Sequence, residues 1–426
     1  MKEDFLHYVW HFKKFKFTQL HTFQNHELSI LHTGYYLKQS GPDFFNAQLL
    51  IDNQKWAGNV EIHLKSSDWY VHHHETDSNY DNVILHVVWE HDVEIYRKDA
   101  TVIPVLELKH YVDQSVVENY NQLVAAKSWI NCENQLKNLP EFTLSHWIER
   151  LYIERLEQKT SELELVLLKT TTNWEHVFYI SLARSFGLNT NGVSFQELLL
   201  SIPFSVLKKE QHDLLALEAL FFGRVGLLEN HFEDNYYQDL KSKWHFLVHK
   251  YQLQSTSIVA PEFFKHRPDN FPTIRLAQLA QLLHRESNLL QRCLDTTSLS
   301  AFYTLFNIQV SDYWKTHYTF DHKSTFKSKS LSKGFVDLLL LNCVLPIKFS
   351  YSKSKGIQNI EELLALALEI KSEKNSIIEK FQQFGLASSS SLHSQALLHL
   401  KSKYCNQNKC LQCEIGKNLI NFTSPK

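Results

Sequence analysis

Residues 58–65 read Gly-Asn-Val-Glu-Ile-His-Leu-Lys. Side chains of a β-strand alternate between its two faces. As a strand, this run turns Val60, Ile62 and Leu64 toward a core and Glu61, His63 and Lys65 together the other way. A carboxylate, an imidazole and an ammonium on one face cannot be buried without partners. Two readings follow. The face is solvated and laced with cross-strand ion pairs, as one face of an antiparallel sheet commonly is, or its groups converge on a ligand. Upstream, Pro42-Asp43 stands just before the strand-like run Ala47–Ile51. A hairpin between the two runs would bring Asp43 to Glu61, and paired carboxylates suit Mg²⁺ or Mn²⁺, since hard cations take oxygen ligands. A nearby Lys or His would then orient or deprotonate an attacking water.

Working outward, the first 112 residues are rich in short β-like runs: Leu28–Leu37, Ala47–Ile51, Val60–Leu64, Val83–Trp89 and Val102–Leu108. Turn residues such as Gly41-Pro42-Asp43 and Asp52-Asn53 separate them. Pro104 marks the last run as an edge strand. Residues 113–142 read as a helix and a connector ending at Pro140. Beyond Thr143 helical spacing takes over, as at Ile148, Leu151, Tyr152 and Leu156. Only 11 Gly and 9 Pro in 426 residues favour long helices over a many-turned β protein. The expected fold is α+β: a mixed sheet domain over 1–112, a connector over 113–142, and an α-helical domain over 143–426 that ends in a cysteine cluster.

Forty-three per cent hydrophobic and 21% charged residues exclude a disordered chain. The 44 Lys and Arg against 46 Asp and Glu leave a net charge of -2, so any nucleic-acid contact must come from a local patch. The start, MKEDFLHYVWHFKKFKF, lacks the apolar core of a signal peptide. The run Phe335–Ile347 is broken by Asp337, Asn342 and Pro346 and reads as too short and polar to span a bilayer. Six scattered or clustered cysteines do not form a secreted disulfide framework. The expectation is a cytoplasmic protein with reduced thiols and no membrane partner.

The N-terminal pattern resembles the PD-(D/E)XK phosphodiesterase superfamily, whose motif is an acidic residue followed, about 10–30 residues later, by Glu/Asp-X-Lys on the next strand. The match here is Pro42-Asp43 and Glu61-Ile62-His63, with His in place of Lys and Lys65 one alternation further on. The resemblance implies a restriction-endonuclease-like core, with Asp43 and Glu61 as metal ligands and Lys65 with His63 as the groups acting on water and phosphate. Glu107-Leu108-Lys109, preceded by Asp92, is a competing pair on the edge-like run. His86 is placed to join His63, and His72, His73 and His74 follow in a loop, so a zinc hydrolase is a further reading, one needing three converging ligands.

The stretches Ser40-Gly-Pro-Asp-Phe44, Trp56-Ala-Gly-Asn-Val-Glu-Ile-His63, Ser67-Asp-Trp-Tyr70, Tyr80–Val88, Phe222-Gly-Arg-Val-Gly226, Arg267–Leu276, Trp314-Lys-Thr-His-Tyr318 and Cys405–Gly416 together are similar to a bacterial family, domain of unknown function 2851. The similarity covers nearly the whole chain and implies no activity.

Cys405, Cys410 and Cys413 lie within nine residues, and their CxxC half suits a metal turn. Zinc would need a fourth ligand, for which His399, Cys343 and Cys293 are candidates; an iron–sulfur cluster is the alternative, and three reduced thiols packed in a turn the structural one. Arg267 and Arg275 suit a bidentate grip on phosphate, but the preferred reading is that they tie a loop to helix carboxylates. Lys323, Lys327, Lys329 and Lys333, with Phe326 among them, form a basic loop that would contact nucleic acid or stay solvated. The leading expectation is a metal-dependent nuclease acting on DNA or RNA. The alternative is a non-catalytic binding or scaffold protein in which the site has decayed, as His63 at the Lys position suggests.

Overall fold

A computed structural model describes residues 1–36, 41–125, 128–254, 258–264 and 266–421. Leu37 and Ser40, which end a strand-like run and begin a motif in the sequence, lie outside the described residues. The chain forms two compact units. The first comprises 1–147, 380–386 and 400–426, and the second 148–379 and 387–399.

The first unit opens with helix α1, Glu3–His11, whose Phe5, Leu6, Val9 and Trp10 fall at helical spacing and are buried. Seven strands follow: β1 Leu20–His21, β2 Glu27–His32, β3 Tyr35–Tyr36, β4 Phe44–Ile51, β5 Gln54–Lys65, β6 Val83–Glu90 and β7 Val105–Glu107. Helix α2, Asp68–Val71, lies between β5 and β6, and α3, Gln114–Ala125, follows β7. The sheet order is β1-β2-β4-β5-β6-β7, with β3 paired to β4. The β2–β4 and β4–β5 pairs are antiparallel, while β5–β6 and β6–β7 are parallel, so the sheet is mixed. As Pro104 foretells, β7 ends the order.

The sheet is covered on both faces. Val60, Ile62, Leu85 and Val87 pack with Phe5, Leu6, Val9 and Trp10 of α1. Val83, Val88 and Val105 pack with Trp69, Tyr80, Ile95 and Ile103 on the other side. That second layer exists because parallel strands cannot be joined by a tight turn. The β5–β6 crossover therefore carries α2 and a turn over Glu61 and His63. β5 and β6 approach closely at Gly58, where a Cβ would stand 2.5 Å from Ile84 Cγ2 and 2.6 Å from the Asn82 carbonyl oxygen.

The second unit is helical and larger, as the composition implies. Its helices are capped by side chains the sequence supplies: Asn173 accepts from the His176 N–H, Asp213 from Ala216 and Ser332 from Phe335. Pro272 begins the helix Pro272–Arg285, preceded by Phe271. Asn270 does not cap it. Its Oδ1 instead accepts from Arg275, which also bonds Gln278 at 2.7 Å and lies over Phe335 at 3.5 Å. Arg275 thus ties the loop through amides, where carboxylates were expected. The apolar run read as Phe335–Ile347 belongs to a longer helix, Lys333–Ser354, because a π turn at Leu340–Val344 carries the helix on into Pro346. The helix has 22 residues, and an 18-residue window within it has a mean hydropathy of 1.4 and meets the length and composition of a membrane span, while 67% of that window is buried inside the protein.

Candidate metal centre

Three elements build the site. β4 and β5 pair with Phe44 opposite Val60, and the ladder slips between Phe44 and Ala47. Asn46 takes a left-handed φ of 55° there and its N–H bonds Asn59 Oδ1 at 3.3 Å. Such a bulge re-aims the start of a strand. It places Asp43 against Glu61: the Asp43 N–H donates to Glu61 Oε2 at 3.1 Å, and Asp43 Oδ2 accepts from the Ile62 N–H at 3.1 Å. The expected hairpin contact is present.

The face carrying Glu61 and His63 is not solvated. The two residues are 5% and 1% exposed. The crossover covers them. His73 has φ of 59°, a left-handed conformation that His tolerates better than branched residues. That kink turns His73 outward, its side chain 80% exposed, and leaves His72 and His74 on the sheet side. His63 Nε2 lies 3.0 Å from His72 Nδ1 and 3.5 Å from Glu61 Oε1, and His74 Nε2 lies 3.3 Å from the same Glu61 oxygen. Ligand atoms of His63, His72 and His74 fall within 4.8 Å of one another. Tyr80 stacks on His74 at 3.7 Å, fixing its ring.

Protonation follows from this packing. His63 Nδ1 meets His86 Nε2 at 2.8 Å. Burial and the surrounding imidazoles push His63 down to about 2 and His86 down to about 3, so both rings are neutral. One of the two facing nitrogens, His63 Nδ1 or His86 Nε2, carries the shared proton; in the tautomer with His63 Nδ1–H donating to His86, the His63 Nε2 lone pair faces His72 and Glu61. Neutral imidazoles with convergent lone pairs are the ligand state of histidine. Burial and the Asp43 carboxylate push Glu61 well above the carboxylate range. Negative charge nearby favours the protonated form of a carboxyl, and a cation bound at Glu61 would reverse that shift.

Helix α1 adds two groups that the sequence reading did not single out. His7 Nε2 lies 3.1 Å from Asp43 Oδ2, with its Nδ1 3.3 Å from the Tyr36 hydroxyl. Glu3 is raised by burial and feels His7, Asp43 and His72. Glu3 and His7 are four residues apart, on one helical face, and that spacing is the available signal.

Lys65 is exposed at the end of β5, its N–H bonded to Asp68 at 3.0 Å and its ammonium acting on Asp92. The competing carboxylates are separately satisfied. Glu107 takes Lys109 at 2.6 Å, His110 at 2.7 Å and the His91 N–H, and Asp92 takes the hydroxyls of Ser66 and Ser67. In the basic loop, Lys327 pairs with Asp269 at 2.7 Å, and Lys329, 3% exposed, donates to the carbonyls of Trp314 and His317. Two of the four lysines are committed within the second unit.

Cys405, Cys410 and Cys413 line one small cavity of ≈ 20 Å³ in the first unit, and Cys132 lines it with them. Cys293, Cys343 and His399 belong to the second unit.

A family model described as a protein of unknown function (DUF2851) matches residues 3–376. No curated protein matches the chain. No solved structure matches it.

Proposed function

We propose, from a chain that belongs to the DUF2851 family and so inherits no described activity, that the Asp43–Glu61–histidine group is a divalent-metal centre of a phosphodiesterase acting on nucleic acid. One observation carries the reading. Asp43 and Glu61 are locked together by backbone bonds while Glu61 Oε1 stands 3.3–3.5 Å from two neutral imidazoles. Its placement agrees with the PD-(D/E)XK pattern, the aspartate just before one strand and Glu-Ile-His on the next.

The donors fit a cation. Asp43, Glu61, His63, His72 and His74 offer carboxylate oxygens and imidazole nitrogens, a set suited to Mn²⁺ or Zn²⁺ better than to Mg²⁺. A bound cation would supply Lewis acidity and lower the pKa of a water. The chain's own residues do the rest. Tyr80 and Trp69 hold His74 from two sides, at 3.7 and 5.3 Å. His86 fixes the tautomer of His63. His7 steadies Asp43 and can hold a proton at Nε2. The test is cleavage of labelled single- and double-stranded DNA and RNA with Mn²⁺, wild type beside Glu61→Ala. Cleavage by wild type alone supports the reading, and cleavage by neither or by both equally overturns it.

The exposure of Lys65 favours a second reading, a binding protein that keeps the metal without chemistry. Mn²⁺ binding and tight nucleic-acid binding without cleavage would select it.

A further inference from the structure

The first unit brings a cysteine from the connector after α3 to the cysteine run near the end of the described chain. The run winds through a short 3₁₀ turn, Cys405–Gln407, and a left-handed Asn408 with φ of 51°. Lys409 N–H then bonds back to the Tyr404 carbonyl at 3.0 Å, and Cys413 N–H to that of Lys409 at 3.1 Å. This turns Cys405, Cys410 and Cys413 toward one cavity of ≈ 20 Å³, with Cys132 in its wall and Leu123 and Tyr404 beside it. None of the four is in a disulfide. A cavity of that size admits about one water, yet thiols are poor partners for one.

The backbone is built closely around the cavity. Gly416 sits where a Cβ would stand 2.1 Å from the Cys410 carbonyl oxygen. Donors point at sulfur. Asn131 Nδ2 lies 3.5 Å from Cys410 Sγ, and the N–H groups of Gly416, Ile415 and Trp147 act electrostatically on the Cys413 thiol. Donors aimed at sulfur stabilise thiolate, and at iron–sulfur sites such bonds help set the potential.

We propose that Cys132, Cys405, Cys410 and Cys413 bind an iron–sulfur cluster through four thiolates. One observation favours a cluster over a lone zinc. The spacing Cys405-x₄-Cys410-x₂-Cys413 with one remote cysteine is that of plant-type iron–sulfur proteins, here with the remote cysteine earlier in the chain. This site is separate from the Asp43–Glu61 group, and neither proposal depends on the other.

The experiment is anaerobic purification of the full chain, reconstitution with ferrous iron and sulfide, and measurement of iron, acid-labile sulfide, zinc and the visible spectrum. Wild type should carry about two to four irons with equal sulfide and a broad sulfide-to-iron absorption. Cys132→Ser and Cys410→Ser should lose most of both, while Cys293→Ser and Cys343→Ser, buried thiols of the second unit, should keep them. Sulfide marks the cluster, so a cation at the Asp43–Glu61 group cannot imitate it. Stoichiometric zinc without sulfide, no metal in wild type, or full iron in Cys132→Ser overturns the proposal. Should Cys132→Ser fail to fold, iron X-ray absorption on wild type decides: about two cysteine sulfurs per iron in a two-iron centre, or about one in a four-iron centre, supports it, and nitrogen or oxygen ligation overturns it.

Discussion

Asp43 and Glu61 brace each other across the β4–β5 pair: the Asp43 N–H holds the Glu61 carboxylate at 3.1 Å, and the Asp43 carboxylate is held at 3.1 Å by the N–H of Ile62, the residue after Glu61. Each carboxylate keeps one oxygen out of this bond, and Glu61 Oε1 meets His63 and His74. The brace fixes positions without using up the lone pairs a cation needs.

His7 should act as a positioning residue through Asp43 and Tyr36. Outer partners of metal ligands typically cost 10–100-fold in affinity when removed. His7→Phe should therefore weaken Mn²⁺ binding by roughly tenfold in a calorimetric titration, with the melting temperature close to wild type. Unchanged affinity would remove His7 from the account.

The left-handed His73 sets His72 and His74 over the sheet. His73→Gly should be neutral or stabilising by up to about 1 kcal/mol, whereas His73→Val should cost about 1–2 kcal/mol and weaken metal binding. Denaturant midpoints and the same titration check both. Equal behaviour of the two variants would mean that the turn does not control the histidines.

Gly58→Ala should destabilise the first unit by about 1–3 kcal/mol, because the added methyl meets Ile84 and the Asn82 carbonyl. A denaturation curve that follows the sheet should shift to lower denaturant. No shift would imply that β5 and β6 separate there at little cost.

In the second unit, Glu218 is buried, accepts from Ser311 at 3.1 Å and from the Tyr236 hydroxyl, and burial raises its carboxyl from 4.5 to about 7. Folded Glu218 thus keeps its proton where the unfolded residue has released it. Its stabilising contribution is complete below about 4.5 and is lost as pH rises through about 7, a change of up to about 3 kcal/mol. Glu218→Gln should flatten the fall in stability between pH 5 and 8. An unaltered pH profile would contradict this assignment.

Much of the first unit is visible in the chain itself. The alternation through Val60, Ile62 and Leu64 marks a strand, Asp52-Asn53 marks the turn beside it, and Pro104 marks the edge. Those signals are local, and so is the hairpin that joins Asp43 to Glu61. What was not legible depends on closure across the fold. His72 and His74 read as loop residues, because nothing local shows that a parallel crossover folds them over β5. Cys132 has no local pattern and becomes a partner of Cys405, Cys410 and Cys413 only through the connector's packing. Lys65 continues the alternation to the strand's end, beyond the part the crossover covers, and is exposed there.

The account centres on Asp43 and Glu61 as a cation site, and a calorimetric titration of the full chain with Mn²⁺, wild type beside Glu61→Gln, tests it most directly. Gln keeps the shape and an acceptor for the Asp43 N–H but lacks the charge. The prediction is saturable Mn²⁺ binding in wild type that falls by at least about tenfold in Glu61→Gln. Equal affinity in the two proteins, or none in wild type, would contradict it.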